Sequence, residues 1–173
     1  MKLTQVMQRY VVHWGEMGAR WGINRSVAQI HALLFLSPQP LNADEIGATL
    51  GIARSNVSVG LKELVGWNLV QATHVLGDRR DFFRAEQDPW EVIRRIVEGR
   101  KKREIDPTIA VLRECQAQLA NDSQTPKEVR ERIEAQLEFL ESFTEWYERI
   151  NALPRKTLLK MMRMGERIAK VIG

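Results

Sequence analysis

Gly51 constrains the fold of this chain more than any other residue. It stands between two short stretches of helical periodicity, with Ile46 and Leu50 before it and Val57, Leu61 and Leu64 after it. A backbone that reverses between two helices in so few residues needs a left-handed or otherwise open conformation, which glycine adopts without a Cβ clash. Ile52 is then placed to plug the turn. Asn42 opens the first helix of the pair, because its side-chain oxygen can accept from free backbone amides and Glu45, three residues on, can complete a capping box. This helix ends near Leu50, and the second runs from about Arg54 to Trp67. After Gly66, the branched stretch LVQATHVL, the turn GDRR and the return DFFRA predict a strand, a tight turn and a second strand. That hairpin is the only β-structure the sequence predicts.

The flanks read as helices. Val6, Tyr10, Trp14, Met17 and Trp21 recur at spacings of three and four over residues 4–21, with Gly15 and Gly18 permitting close packing. Asn24 can cap a second helix carrying Val27, Ile30, Leu33 and Leu34, and Pro38 and Pro40 mark its exit. Asp88-Pro89 opens another helix with proline at its first position, where the missing amide proton is harmless. Asp106-Pro107 interrupts the periodicity of Ile93, Ile96 or Val97, Ile105, Ile109 and Leu112, predicting a kink or break. Thr125 is the expected cap of the next helix, with Pro126 first in it and Glu128 reaching back. That helix carries Val129, Ile133, Leu137, Leu140, Phe143, Tyr147 and Ile150. A last helix follows Pro154, with Leu158, Met161 or Met162, Gly165, Ile168 and Ile172 on one side. The chain thus divides into an N-terminal packing helix (1–22), a central element (23–87) and a helical C-terminal region (88–173), mainly α throughout.

Composition narrows the function. With 173 residues, 44% of them hydrophobic, the chain can build a core without help from metal or disulfides. A single cysteine, Cys115, excludes an internal disulfide and suits a reducing, cytoplasmic setting; Arg113 nearby is a candidate to stabilise its thiolate. The opening MKLTQVMQRYVVHWGE has no sustained apolar run followed by small residues, so neither export signal nor membrane anchor is expected. His13, His31 and His74 share no spacing with one another or with carboxylates, and no nucleophile motif, phosphate loop or dinucleotide fingerprint is present. No metal, no cofactor and no enzyme activity are expected. The net charge of +4 is concentrated at Arg79-Arg80, at Arg94 to Arg103 (six basic, one acidic) and at Arg155 to Lys170 (six basic, one acidic). Such a balance suits a polyanionic partner, although solvated helix faces carry similar runs.

Helix, helix, tight turn, helix, hairpin is the order of a winged helix-turn-helix. With Val57, Leu61 and Leu64 turned inward, Arg54, Ser55, Asn56, Ser58, Val59 and Lys62 face outward. Small polar side chains let a helix sit deep in the major groove of double-stranded DNA, Asn can pair with an adenine edge, and Arg or Lys can reach guanine or phosphate. Two adjacent arginines at a hairpin tip, Arg79 and Arg80, have no structural purpose but can enter a minor groove or clamp phosphates; Asp78 is better placed to orient an arginine than to meet DNA. A different class of function, a protein-binding module on a winged-helix frame, would find those cations expendable.

On LFLSPQPLNADEIGATLGIARSNVSVGLKELVGWNLV and GDRRDFF, the chain from about Trp14 to Leu112 resembles the MarR-like regulators, and among them the GbsR-type branch of glycine betaine- and choline-responsive repressors. It departs from that branch at Ala53, where serine is usual, losing one helix-cap bond of roughly 1 kcal/mol. The resemblance implies a homodimer, built by the N- and C-terminal helices, that presents two recognition helices about 34 Å or a multiple apart to a palindromic operator. It also implies a small-molecule effector that shifts their spacing. A quaternary ammonium such as choline would be held by cation-π attraction, with Trp14, Trp21, Trp90, Trp146 and Tyr147 as candidate walls.

Overall fold

The computed structural model describes the backbone of residues 1–172 and, within the helices, the side chains as far as residue 164. The expected stripe residues Gly165, Ile168 and Ile172 therefore lie outside the described side chains. Eight α-helices and three strands follow in the order α1 (Gln5–Arg20), α2 (Arg25–Leu36), β1 (Leu41–Asn42), α3 (Ala43–Leu50), α4 (Arg54–Gly66), β2 (Val70–His74), β3 (Asp81–Ala85), α5 (Pro89–Arg100), α6 (Asp106–Leu119), α7 (Lys127–Asn151) and α8 (Arg155–Ile172). They fall into two compact units, Met1–Gly99 and Arg100–Gly173. No described helix is long and apolar enough to cross a membrane.

In the first unit α2 is apolar on nearly every side, so it is buried on nearly every side. Ile30 and Leu33 are fully inaccessible, as are Ile46 of α3 and Val57 of α4. Leu41, Leu61, Leu64, Leu69, Val70, Ala85 and Val92 complete the same core. Neighbouring helices approach α2 through glycine. A Cβ on Gly18 of α1 would lie 2.5 Å from Ala28 Cβ, and one on Gly60 of α4 would lie 2.7 Å from Ile30 Cδ1. Gly99 gives α5 the same access to Trp67, whose ring stands 2.5 Å from the place a Cβ would take. The first unit thus takes in α1 and nearly all of α5 along with residues 23–87.

Asn42 holds α3. Its Oδ1 accepts from the amides of Asp44 and Glu45, each at 3.0 Å, and its own amide donates to Glu45 Oε2 at 2.9 Å, the full capping box. The residue also belongs to a strand the sequence did not announce. Leu41 and Asn42 pair antiparallel with Phe83 and Phe82, so the hairpin becomes a three-stranded sheet in the order β1-β3-β2. Two residues after Pro40 carry no periodicity of their own, and the free edge of β3 recruits them.

In the second unit two local expectations are corrected. Thr125 is not the cap of α7: Pro126 holds that position without a side-chain bond, and the Thr125 hydroxyl donates to Asp122 instead. Asp122 also accepts from the Gln124 amide at 2.7 Å, so the carboxylate organises this loop better than a hydroxyl could. At Asp106-Pro107 the irregularity lies one turn earlier than expected. Residues Lys101–Ile105 form a π-helical turn, and Pro107 falls in the first turn of α6, where it needs no amide proton. Lys101 ties this turn down through Asp106 at 2.8 Å and Glu148 at 3.1 Å.

His31 of α2 is only 4% exposed and sits among aromatic rings, 6.5 Å from Trp14 and 6.4 Å from Phe35, with Tyr10 stacked 5.6 Å from Trp14. Burial lowers its pKa from 6.5 to about 4. The folded chain excludes a proton that the unfolded chain accepts, so stability is full above pH ~6.5 and falls by about 3 kcal/mol as pH drops toward 4. Urea unfolding between pH 4 and 7 should show His31→Phe free of this loss; parallel pH profiles for the two proteins would disprove it. Asn42→Ala should lower stability by about 1 to 2 kcal/mol at any of these pH values, through the lost cap. A change within error in the same unfolding measurement would mean that water replaces the cap.

Candidate nucleic-acid interface

The helix expected to read DNA is α4, and the core decides which way it faces. Val57, Gly60, Leu61 and Leu64 are its buried residues. Three to four residues per turn then leave Arg54, Ser55, Asn56, Ser58, Val59 and Lys62 outside, and all six are exposed. Val59 stands 66% exposed among polar neighbours, an apolar side chain open to solvent where a thymine methyl would suit it. Ahead of α4, Gly51 adopts φ +67°, the left-handed conformation that the tight turn requires. The Ile52 amide closes it by donating to the Gly47 carbonyl at 3.1 Å. Ala53 supplies no capping oxygen, so the first amides of α4 have no side-chain acceptor. Arg54 leans toward Asp44 of α3 at 3.4 Å, with its side chain still 72% exposed.

β2 and β3 form the wing, in register from Val70 opposite Ala85 to His74 opposite Asp81. The connection is longer than the tight turn expected. It spans residues 75–80, with Gly77 at φ +86° and the Asp78 amide donating to the Val75 carbonyl at 3.1 Å. The two arginines of the tip are not equivalent. Arg80 donates to Asp78 through Nε at 3.0 Å and Nη2 at 2.5 Å, and its guanidinium lies 5.6 Å from the centre of the Phe82 ring. The hydrogen bonds from Arg80 hold the Asp78 carboxyl at a pKa of about 2, so the pair persists over all ordinary pH. Arg79 is exposed and has no ion-pair partner among the described residues. Leu76, missed in the sequence reading, projects fully from the tip at 104% exposure. Only the loop geometry singles it out, since a leucine ending a branched run looks like strand.

The other candidates are scattered. Trp14 belongs to the aromatic cluster around His31, Trp21 closes α1 at 55% exposure, and Trp90 begins α5 with its amide donating to Asp88 at 3.0 Å. Trp146 and Tyr147 belong to the second unit and, as successive residues of α7, point about 100° apart. Arg113 donates to Glu141 at 2.7 Å, which commits the cation expected to serve the half-buried Cys115. Among the described residues no group of three His, Cys, Asp or Glu is placed to hold a metal ion.

Comparison with known proteins bears on the same stretch. Residues 16–81 match the model of the MarR family. The chain is 25% identical to the HTH-type transcriptional repressor GbsR of Bacillus subtilis over 137 residues, 75% of each protein. It is 17% identical to the B. subtilis helix-turn-helix protein YvaV over 155 residues, 88% of this chain and 86% of YvaV. A solved crystal structure of a transcriptional regulator superposes with a TM-score of 0.67 over 91% of this chain and 98% of that one, at 14% identity, a likeness of fold.

Proposed function

We propose that the chain is a regulator of the MarR type, matched by the family model over residues 16–81: a sequence-specific DNA-binding transcriptional regulator, a ligand-responsive repressor acting as a homodimer on a two-fold operator. The observation that carries this reading is the division of α4: an apolar face sealed into the core and an exposed face of Ser55, Asn56, Ser58, Val59 and Lys62, beside a wing tipped with arginine. The small residues let α4 enter a major groove, and Asn56 supplies the paired donor and acceptor that an adenine edge matches. Arg54, Lys62 and Arg79 carry charge to the phosphates, with the free amides at the start of α4 adding to it. Arg80, braced by Asp78, is a fixed cation rather than a mobile one, suited to a single groove position.

For the effector we propose a quaternary ammonium such as choline, a cation that cannot donate a hydrogen bond and is recognised by aromatic faces. Trp21 supports this reading with an indole open to solvent, and Trp14 and Trp90 add aromatic surface to the same unit.

Fluorescence anisotropy against the upstream region of the protein's own gene tests both parts. Wild type should prefer that DNA over random sequence and lose affinity as salt rises. Binding without sequence preference would sink the regulator reading. An unchanged operator affinity on adding choline would remove the effector alone. Asn56→Ala should weaken operator binding by about 1 to 3 kcal/mol with little effect on random DNA, and an equal loss on both would deny it a base contact. Arg79→Ala should weaken all sequences alike and lower the salt slope by about 1, whereas Arg79→Glu with Arg80→Glu should abolish binding. Full DNA binding by the double variant would favour a protein-binding role for the wing.

A further inference from the structure

Both ends of the wing return to the place where the chain leaves α4. β2 begins at Val70, two residues after Asn68, and β3 ends at Ala85, one residue before Glu86. The Glu86 amide donates to the Leu69 carbonyl at 3.0 Å, so the two roots lie side by side. Asn68 is the one non-glycine residue with a positive φ among those described, at +56°. Asparagine tolerates this left-handed conformation better than most side chains. Its amide donates to the Val65 carbonyl at 2.9 Å, which closes the last turn of α4 and redirects the chain into the wing.

Arg95 of α5 spans this junction. Each nitrogen of its guanidinium meets a different residue: Nε donates to Glu91 Oε1 at 2.8 Å, Nη2 to Glu86 Oε2 at 2.8 Å, and Nη1 to the Asn68 carbonyl. The side chain is 18% exposed. Glu86 is fixed in its turn, because its Oε1 accepts from the amides of Gln87 at 3.0 Å and Asp88 at 3.1 Å. Lysine, whose donors radiate from a single atom, could not span the same three acceptors. The core also grips the root through Val70 and Ala85, but apolar packing is non-directional, whereas the bonds of Arg95 have fixed directions. Direction matters at this point. The five residues of β2 carry the wing about 17 Å away from its root. A tilt of ~10° at the root therefore moves the tip by about 3 Å, enough to lose a hydrogen bond there.

We propose that Arg95 is a positioning residue for DNA recognition: by bridging the exit of α4 and the root of the wing it fixes the angle between them, so that Asn56 and Arg79 reach one duplex together. Arg95 itself does not touch the DNA. This role rests on the DNA-binding reading given above and names the contact that sets its geometry.

Two measurements on the full chain test it, the first without DNA. Nitroxide labels on Lys62→Cys and Leu76→Cys, in a Cys115→Ser background and diluted into unlabelled protein, report the distance from α4 to the wing tip by pulsed electron paramagnetic resonance. Arg95→Ala and Arg95→Lys should both broaden or shift that distance. Glu86→Gln should do so to a smaller extent, since it keeps an oxygen for the Gln87 and Asp88 amides but replaces the one that accepts from Arg95. An unchanged distance in Arg95→Ala would overturn the role, whether or not the chain binds DNA. The second measurement is anisotropy on operator DNA. Arg95→Ala should bind about three- to tenfold more weakly, and Arg95→Lys nearly as weakly. Arg79→Ala should then cost much less in the Arg95→Ala background than in wild type, because a misplaced wing has little contact left to lose. If Arg79→Ala costs the same in both backgrounds, with wild-type helix content by circular dichroism, Arg95 only stabilises the fold and the role is overturned. Full affinity in Arg95→Lys beside a loss in Arg95→Ala would reduce it to a plain charge effect and overturn it too. Should Arg95→Ala fail to fold, Glu86→Gln carries the same comparisons. Wild type without preference for operator DNA would remove the regulator reading, while the label distances would still decide whether Arg95 sets the wing.

Discussion

The close approach of three helices to α2 is the constraint on which the first unit depends. α2 has no polar face to give to solvent, so every neighbour must reach it, and glycine at positions 18 and 60 lets α1 and α4 do so. Once Gly60 lies against Ile30, the rotation of α4 about its axis is set, and with it the outward direction of Asn56 and its neighbours. The outward face of α4 is in this sense a by-product of core packing.

Asn42 couples that core to the wing. The same residue caps α3 through its side chain and pairs with Phe82 through its strand, so the start of the helix-turn-helix and the wing share one buried point, 2% exposed. The wing is thereby tied to the start of α3, the helix that Gly51 joins to α4. Coupling of this kind, through packed elements rather than flexible tethers, fixes the separation of the wing and α3.

The wing shows how charge alone misleads. Two adjacent arginines in a loop read as two equal cations, but Asp78 claims one of them with hydrogen bonds to both its backbone and its guanidinium. The other stays open. The arrangement separates a positioned cation from a mobile one within two residues of chain, and it places Leu76 at the extreme tip between β2 and the turn.

Much of this was legible in the sequence where the signal is local. The Asn42–Glu45 capping box, the left-handed Gly51 and the inward set Val57, Leu61 and Leu64 follow from residues within one or two turns of each other, because caps, glycine torsions and helical periodicity act over that range. The tertiary structure alone decided what depends on a distant partner or on competition between neighbours. β1 exists because β3 offers an edge about forty residues away, as the pairing of Leu41 with Phe83 shows. Thr125 lost its expected cap because Asp122, a stronger acceptor, took its hydroxyl, and Arg113 was drawn from Cys115 by Glu141 on the facing helix. Local chemistry therefore determined the order of the elements and which residues of α4 share a face, while long-range packing turned that face outward and competition for partners determined which of the exposed charges are held in ion pairs.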